Sequence, residues 1–477
     1  MVAIVNVYRR GPEVSRKAAG ELKLSARAVV AFRGVLPERA GWAIDSSQYR
    51  SGQRCSWSAT ELEGEWRVKL GILRERREGE RRVAATPETV KQLAGLGLEV
   101  LVEAGAGTAA GHSDDAYAQA GARIVPGLDF GSLDILAHVR PLEPATAAAL
   151  PRGAVTAGLA SPSSELPTVR ALAAAGVTSF ALELVPRISR AQSMDALSSQ
   201  ALVAGYRCVL EAAMRLPRFF PLFMTAAGTI PPARVLVLGV GVAGLQAIGT
   251  AKRLGARVSA NDIRPSSADE VASMGGTFIK LDLETAEASG GYARELSADR
   301  GALQRQLLAP HVAQADVLIT TAAVPGRRAP LLVTREMVQG MRPGSVVVDL
   351  AAESGGNVEG SVPGEDITVA TADGQGTVTL VGMKDAASAM PADASRLYAK
   401  NVANLLALMV RDGVLALDFG DEVVAGTCLT HDGEVRHPPT AEALAAASPQ
   451  AVTPAPAVHQ RAVHNTEQPT AQNEGVV

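Results

Sequence analysis

Val235-Leu236-Val237-Leu238-Gly239-Val240-Gly241-Val242-Ala243-Gly244 carries an apolar strand into a Gly-x-Gly-x-x-Gly turn, and Arg257-Val258-Ser259-Ala260-Asn261-Asp262 follows it. Together these stretches specify a dinucleotide-binding βαβ unit. Gly239 permits the tight turn, Gly241 lets the backbone approach a pyrophosphate, and Gly244 brings strand and helix together. The diphosphate then sits on the amides of the helix N-terminus, where Val242 and Ala243 lie. Asp262, at the end of the next strand and about twenty residues on, accepts the adenosine ribose hydroxyls in such units. Its carboxylate favours NAD over NADP because it repels a 2′-phosphate, although Arg264, just past Ile263, leaves that preference short of absolute. A glycine triplet alone also occurs in purely structural βα turns; strand, helix and acid at this distance carry the reading.

The chain has 477 residues and 47% hydrophobic content, enough for two or three domains with substantial cores. Net charge is −3 with Lys and Arg dispersed, which is not the footprint of a nucleic-acid binder. Cys55, Cys208 and Cys428 are odd in number and far apart, fitting neither a disulfide framework nor a metal cluster, so a reducing compartment is expected. Neither an eighteen-residue uncharged apolar run nor a cleavable leader pattern is found, so a soluble, unexported chain with no span of its own is expected.

Regular βα alternation begins at Val68. Residues 1–67, with Trp42, Trp57 and Trp66, read as an ill-ordered, dispensable extension, and translation is expected to start near Val68. Strands are predicted at Val68–Leu73, Leu98–Val102, Ile135–Val139, Ala154–Leu159 and Val177–Leu184, with helices from Thr86-Pro87-Glu88, over Asp114–Ala120 and over Leu166–Ala174. A long helix near 196–222 leads to the second unit. Its predicted strands are Val235–Gly239, Val258–Asn261, Phe278–Leu281, Val317–Thr321, Val346–Leu350 and Thr377–Val381. A helix over Ser395–Arg411 and a hairpin of Val423–Leu429 with Glu434–Arg436, turning at Asp432-Gly433, have no core of their own. They are expected to return to the first unit. The fold class is therefore α/β, two Rossmann-like doubly wound domains with a cleft between them. The first domain is discontinuous (68–196 and 385–437), the second covers 197–384, and 438–477, rich in Ala, Pro, Gln and Thr, reads as a disordered tail.

Where the chain crosses between the units lies Pro186-Arg187-Ile188-Ser189-Arg190-Ala191-Gln192-Ser193-Met194-Asp195-Ala196-Leu197-Ser198-Ser199-Gln200. Its polar groups suit a ligand at an interdomain cleft, or a solvated linker that caps the following helix. The segment resembles the Arg-Gln-Asp loop of the NAD(H)-binding subunit, domain I, of proton-translocating nicotinamide nucleotide transhydrogenases. The resemblance runs over about 68–437 and includes Gly239–Gly244, Thr320-Thr321-Ala322-Ala323-Val324-Pro325-Gly326 and Gly344-Ser345-Val346-Val347-Val348-Asp349-Leu350-Ala351-Ala352-Glu353.

The resemblance implies that Arg187, Gln192, Asp195 and Ser198 hold and orient the nicotinamide ring and its ribose, and that Thr321, Ala322 and Ala323 belong to the nucleotide site. It implies that Tyr292, in Gly290-Gly291-Tyr292-Ala293, closes over the nucleotide on a mobile loop; a glycine-flanked aromatic suits a lid by its own physics. It further implies a homodimer binding NADH, docked to NADP(H)-binding and membrane subunits, cytoplasmic and peripheral to the inner membrane. Ala386-Ala387-Ser388-Ala389 departs from the family's Leu-Pro-Ser-Arg.

Two other classes compete. Alanine dehydrogenases share the core but use Lys and His on a keto acid; at the matching positions stand Arg140 and Gly158. Arg82 could bind a carboxylate or serve as a structural ion-pair residue, and His138 reads as a half-buried structural histidine. A non-catalytic NAD sensor has no need to fix the nicotinamide face with an Arg187/Gln192/Asp195/Ser198 set.

Overall fold

The computed structural model describes residues 67–281, 298–324 and 326–447. The expectations for 1–66, Tyr292 and 448–477 fall outside the described residues.

The first sheet is built on β1 (Lys69–Ile72), β2 (Glu99–Glu103), β3 (Arg123–Val125), β4 (Ile135–Ala137), β5 (Val155–Gly158) and β6 (Thr178–Ala181). They are parallel in the order β3-β2-β1-β4-β5-β6, so the strand order reverses between β1 and β4. Such strands are covered on both faces, which is why β4, β5 and β6 are buried at every position. Between β1 and β2 runs α1 (Pro87–Gly95). Thr86 and Thr89 cap it reciprocally, each hydroxyl accepting the other's backbone N–H, with Pro87 in its first turn. The later helices of this unit are α2 (Asp114–Gln119), α3 (Pro144–Ala149) and α4 (Leu166–Ala175).

The crossing helix α5 (Ala196–Arg215) stops seven residues short of its expected end. Pro217 disfavours helical backbone at Leu216. The chain then forms an exposed hairpin of Phe223–Thr225 and Gly228–Ile230, which the sequence pattern did not suggest.

The second sheet comprises β7 (Arg234–Leu238), β8 (Arg257–Asn261), β9 (Thr277–Phe278), β10 (Val317–Thr320), β11 (Val346–Asp349), β12 (Asp366–Ala370) and β13 (Thr377–Gly382). Its order is β9-β8-β7-β10-β11-β13-β12, parallel except for the edge strand β12. The strands are joined through α6 (Val242–Arg253), α7 (Ser267–Ser273), α8 (Ala298–Gln314) and α9 (Arg335–Gln339). The order reverses between β7 and β10, where nucleotides bind in open α/β sheets.

Beyond this sheet the chain goes back to the first. Helix α10 (Pro391–Met409) buries Tyr398, Val402, Leu405, Leu406 and Met409 in the first core, and its Tyr398 hydroxyl donates to the His138 carbonyl at 2.9 Å. Strand β14 (Cys428–His431) then pairs antiparallel with β6 and turns into β15 (Glu434–Val435).

Two expectations are corrected here. Most of Val423–Leu429 is not strand but α11 (Glu422–Thr427), because the Asp421 carboxylate accepts Val423 N and Val424 N as an N-cap. The expected tail begins with α12 (Pro438–Ala446), which has Pro in its first turn and lays Leu444 against the cluster of Ala160, Val169, Ala181 and Leu429.

Candidate functional site

Strands β7, β8 and β10 end side by side, Leu238 being level with both Asn261 and Thr320. The glycine turn, Asp262-Ile263-Arg264 and Thr321-Ala322-Ala323 are therefore neighbours on one edge. Gly239 has φ +92°, a left-handed conformation that favours glycine. A Cβ on Gly244 would lie 1.9 Å from the Gly239 carbonyl oxygen, whereas one on Gly241 would meet nothing within 4 Å. So Gly244 is required by packing, and Gly241 leaves open space above the start of α6. No side chain caps α6, whose first residue, Val242, is exposed while Ala243 is buried. This open, uncapped amide terminus fits a dinucleotide diphosphate.

Asp262 is bound into the turn. Its Oδ2 accepts Val240 N at 2.7 Å, and its Oδ1 accepts Arg264 N and Arg264 Nε at 2.9 and 3.1 Å. Arg264 also donates to the Val240 carbonyl at 2.9 Å. On the other side Thr321 Oγ1 donates to the Gly239 carbonyl at 2.9 Å, tying β10 to the glycine turn.

Sequence reasoning missed Asn357, which is fully buried and donates to the Ala322 carbonyl at 2.8 Å. Its own backbone N–H is accepted by Asp349, which also takes the Thr320 hydroxyl. Burial pushes the Asp349 carboxyl up from its ordinary range. A polar residue after two glycines, Gly355-Gly356-Asn357, was the available signal.

The second cluster forms on the crossing segment. Arg187, Gln192, Asp195 and Ser198 line one cavity of about 450 Å³. Asp195 caps α5: Oδ1 accepts Ser198 N at 2.9 Å and Oδ2 accepts the Ser198 hydroxyl at 2.6 Å. Helix α5 joins this cavity to the glycine turn. At Gly205 it packs on the start of α6 so closely that a Cβ would stand 2.1 Å from the Ala243 carbonyl oxygen. Seven residues separate Ser198 from Gly205, about 10 Å along the axis.

Comparison with known proteins shows the family of the chain. Residues 71–204 match the alanine dehydrogenase/PNT N-terminal domain and 208–438 the corresponding C-terminal domain. An NAD(P) transhydrogenase alpha-subunit polypeptide of Rhodospirillum rubrum is 46% identical over 385 residues, 78% of this chain and 98% of the relative. The chain belongs to the NAD(P) transhydrogenase alpha-subunit family. A transhydrogenase structure from Sinorhizobium meliloti has a TM-score of 0.68 at 44% identity, covering 78% of this chain and 99% of that one. The alanine dehydrogenase of Mycolicibacterium smegmatis is more distant, 32% identical over 62% of this chain and 75% of its own.

On the corresponding edge of the first sheet, Gly158 ends β5 and Arg140 follows β4. Gly158 has no room for any side chain there, since a Cβ would lie 2.4 Å from His138 Nδ1. His138 is fully rather than half buried, bonded through Nδ1 to the Arg140 carbonyl, and burial pulls its pKa down to about 4. Arg82 is buried and makes two side-chain bonds to Glu80 at 2.8 and 2.7 Å. Burial alone would raise the Glu80 carboxyl; the Arg82 bonds override it and hold it at about 2. Arg140 pairs with Glu80 at 2.7 Å, at an angle too bent for a hydrogen bond, and with Asp385. Both arginines are thus engaged by the protein's own carboxylates. Among the described residues no His, Cys, Asp or Glu group could hold a metal, and no helix is long and apolar enough to cross a membrane.

Proposed function

We propose that the chain binds NADH across these two clusters and gives its hydride to NADP⁺ held on a partner subunit, with a membrane subunit coupling the transfer to proton translocation. The observation that carries the reading is α5, whose N-terminal end borders the Arg187–Ser198 cavity and whose Gly205 packs on the start of α6 beside the glycine turn. Bound NADH supplies the hydride, and this chain's residues bind, orient and exclude water. Hydride passage between nicotinamides needs no general acid or base, which suits a cavity lined by Arg187, Gln192, Asp195 and Ser198. Arg187, Gln192, Asp195 and Ser198 hold the ring and ribose, and Tyr292 closes over the nucleotide. Asp262, with Ile263 and Arg264, takes the adenosine ribose, and Thr321, Ala322 and Ala323 flank the diphosphate.

The chain works as a homodimer with NADP(H)-binding and membrane subunits, cytoplasmic and peripheral to the inner membrane. Support for a protein interface comes from the exposed apolar group of Met214, Phe219, Leu222, Phe223, Met224 and Ile230 around the 223–230 hairpin. The purified chain should bind NADH by calorimetry, leave NADP⁺ unreduced, and transfer hydride once the NADP-binding subunit of a transhydrogenase is added. Alanine formation from pyruvate and ammonium by the chain alone would place it with the dehydrogenases instead.

A further inference from the structure

We propose that Asn401, on α10 of the returning C-terminal segment, is a positioning residue for the nicotinamide loop, acting as the last link of a one-directional hydrogen-bond chain. The proposal rests on the reading above that Arg187 and Gln192 orient the nicotinamide. The loop cannot set its own geometry. Ser189–Met194 is a six-residue 3-10 turn with no side-chain N-cap, longer than such turns usually run, and only Ala191 and Met194 reach the core.

Two outside anchors hold it. Asn401 Nδ2 and Asn404 Nδ2 both donate to the Ser193 carbonyl, at 2.9 and 3.1 Å, next to Gln192. At the outer end, Arg190 makes two bonds to Asp421, at 3.0 and 2.9 Å.

The Asn401 amide has a fixed sense because of what lies behind it. Arg82, clamped by Glu80, donates to Gln200 Oε1 at 2.9 Å, and Gln200 Nε2 donates to Ser199 Oγ at 3.1 Å. Ser199 Oγ then donates to Asn401 Oδ1 at 2.7 Å, leaving Nδ2 facing Ser193. Arg82, Gln200 and Asn401 are all buried, and Gln200 Nε2 and Ser199 Oγ also reach the Ala394 and Ala196 carbonyls, each at 3.2 Å. Arg82 can only donate and the Ser193 carbonyl can only accept, so turning either amide over would set like groups together. A rigid ion pair at the first sheet's switch point thereby sets where the loop stands.

The test uses the full chain and four variants: Asn401→Ala, the Asn401→Ala/Asn404→Ala pair, and Arg190→Ala and Arg190→Lys, whose exposed side chain makes misfolding no concern. Mixed with the NADP-binding subunit, Asn401→Ala should lower kcat for hydride transfer by roughly 10- to 100-fold, the scale of an ångström's misplacement. NADH affinity should stay within about twofold, and Arg190→Lys should retain more rate than Arg190→Ala. Trypsin cleavage after Arg187, without nucleotide or partner, should be about tenfold faster in the paired Asn variant, beyond what its loss of global stability in denaturant titration accounts for. Parental cleavage together with parental kcat would overturn the proposal, as would NADH affinity falling in step with kcat. If the parental chain itself transfers no hydride, the functional reading fails, while the cleavage rates still decide whether Asn401 holds the loop.

Discussion

The Asp262 carboxylate accepts the Val240 backbone N–H at 2.7 Å, so the acid that follows β8 is built into the turn that follows β7. Its second oxygen is held by Arg264. Asp262 therefore shapes the glycine turn as well as offering a ribose acceptor. Asp262→Ala should weaken NADH binding by about 1.5–3 kcal/mol, the range for charged hydrogen bonds, and also lower the melting temperature. Asp262→Asn keeps an acceptor for Val240 and should lose affinity with less loss of stability. Calorimetry on both variants checks this, and equal NADH affinity for Asp262→Ala and parent would reject the role.

The two doubly wound sheets were legible because parallel, doubly covered strands read as apolar runs: Val346 to Val348 and Val317 to Ile319 stand in the sequence as they stand in the sheet. Side-chain capping was harder to read. Val423-Val424 has strand composition, and only the carboxylate of Asp421 turns it into helix. The Ala-rich composition at 438–446 hid a helix because the packing that stabilises it, Leu444 on Leu429, joins segments whose contact no local pattern reports. The glycine turn and its acid were legible for the same local reason as the strands. Asn357, Asn401 and Asn404 were not, since each acts on a carbonyl distant in sequence.

Gly241 and Gly244 should separate binding from folding. A Cβ at Gly244 meets the Gly239 carbonyl oxygen at 1.9 Å, so Gly244→Ala should be severely destabilised, by more than about 2 kcal/mol, or insoluble. At Gly241 a Cβ meets no protein atom within 4 Å, so Gly241→Ala should keep its melting temperature. Its methyl would instead stand where the diphosphate approaches, and NADH affinity should fall about tenfold or more. Thermal denaturation and calorimetry distinguish these outcomes; unchanged affinity in Gly241→Ala would remove the diphosphate from this turn.

Glu75 should make stability fall with rising pH. Burial pushes its carboxyl from 4.5 to about 7, against the bonds from Val139 N and Arg140 N. Between those values the folded chain holds a proton that the unfolded chain has released. The favourable contribution is full below pH 4.5 and is lost as pH rises through about 7. His138 runs the other way, its unfolded form taking up a proton between 6.5 and about 4. Glu75→Gln removes only the first effect. The variant should match the parent near pH 4 and exceed it by about 3 kcal/mol at pH 8, from the size of the shift. Denaturant titration at both pH values tests this, and a pH-independent difference would show that Glu75 does not titrate there.

Asp195 and Arg187 should differ in what their loss does. Asp195 caps α5 through Ser198 N and also holds the Ser198 hydroxyl, so Asp195→Ala should destabilise the fold by about 1 kcal/mol besides disturbing the cavity. Asp195→Asn retains an oxygen for the cap and should recover most of that stability. Arg187 lines the same cavity from an exposed position on the loop, so Arg187→Ala should leave the melting temperature within a degree or so. In the complex reconstituted with the NADP-binding subunit, both alanine variants should cut hydride transfer by about a hundredfold, with a smaller effect on NADH affinity, because their task is placement of the ring. Stopped-flow transfer rates beside binding isotherms resolve the two effects. A parental rate in Arg187→Ala would make the loop a linker that happens to line a cavity, and hydride transfer would then have to be positioned from the glycine-turn side alone.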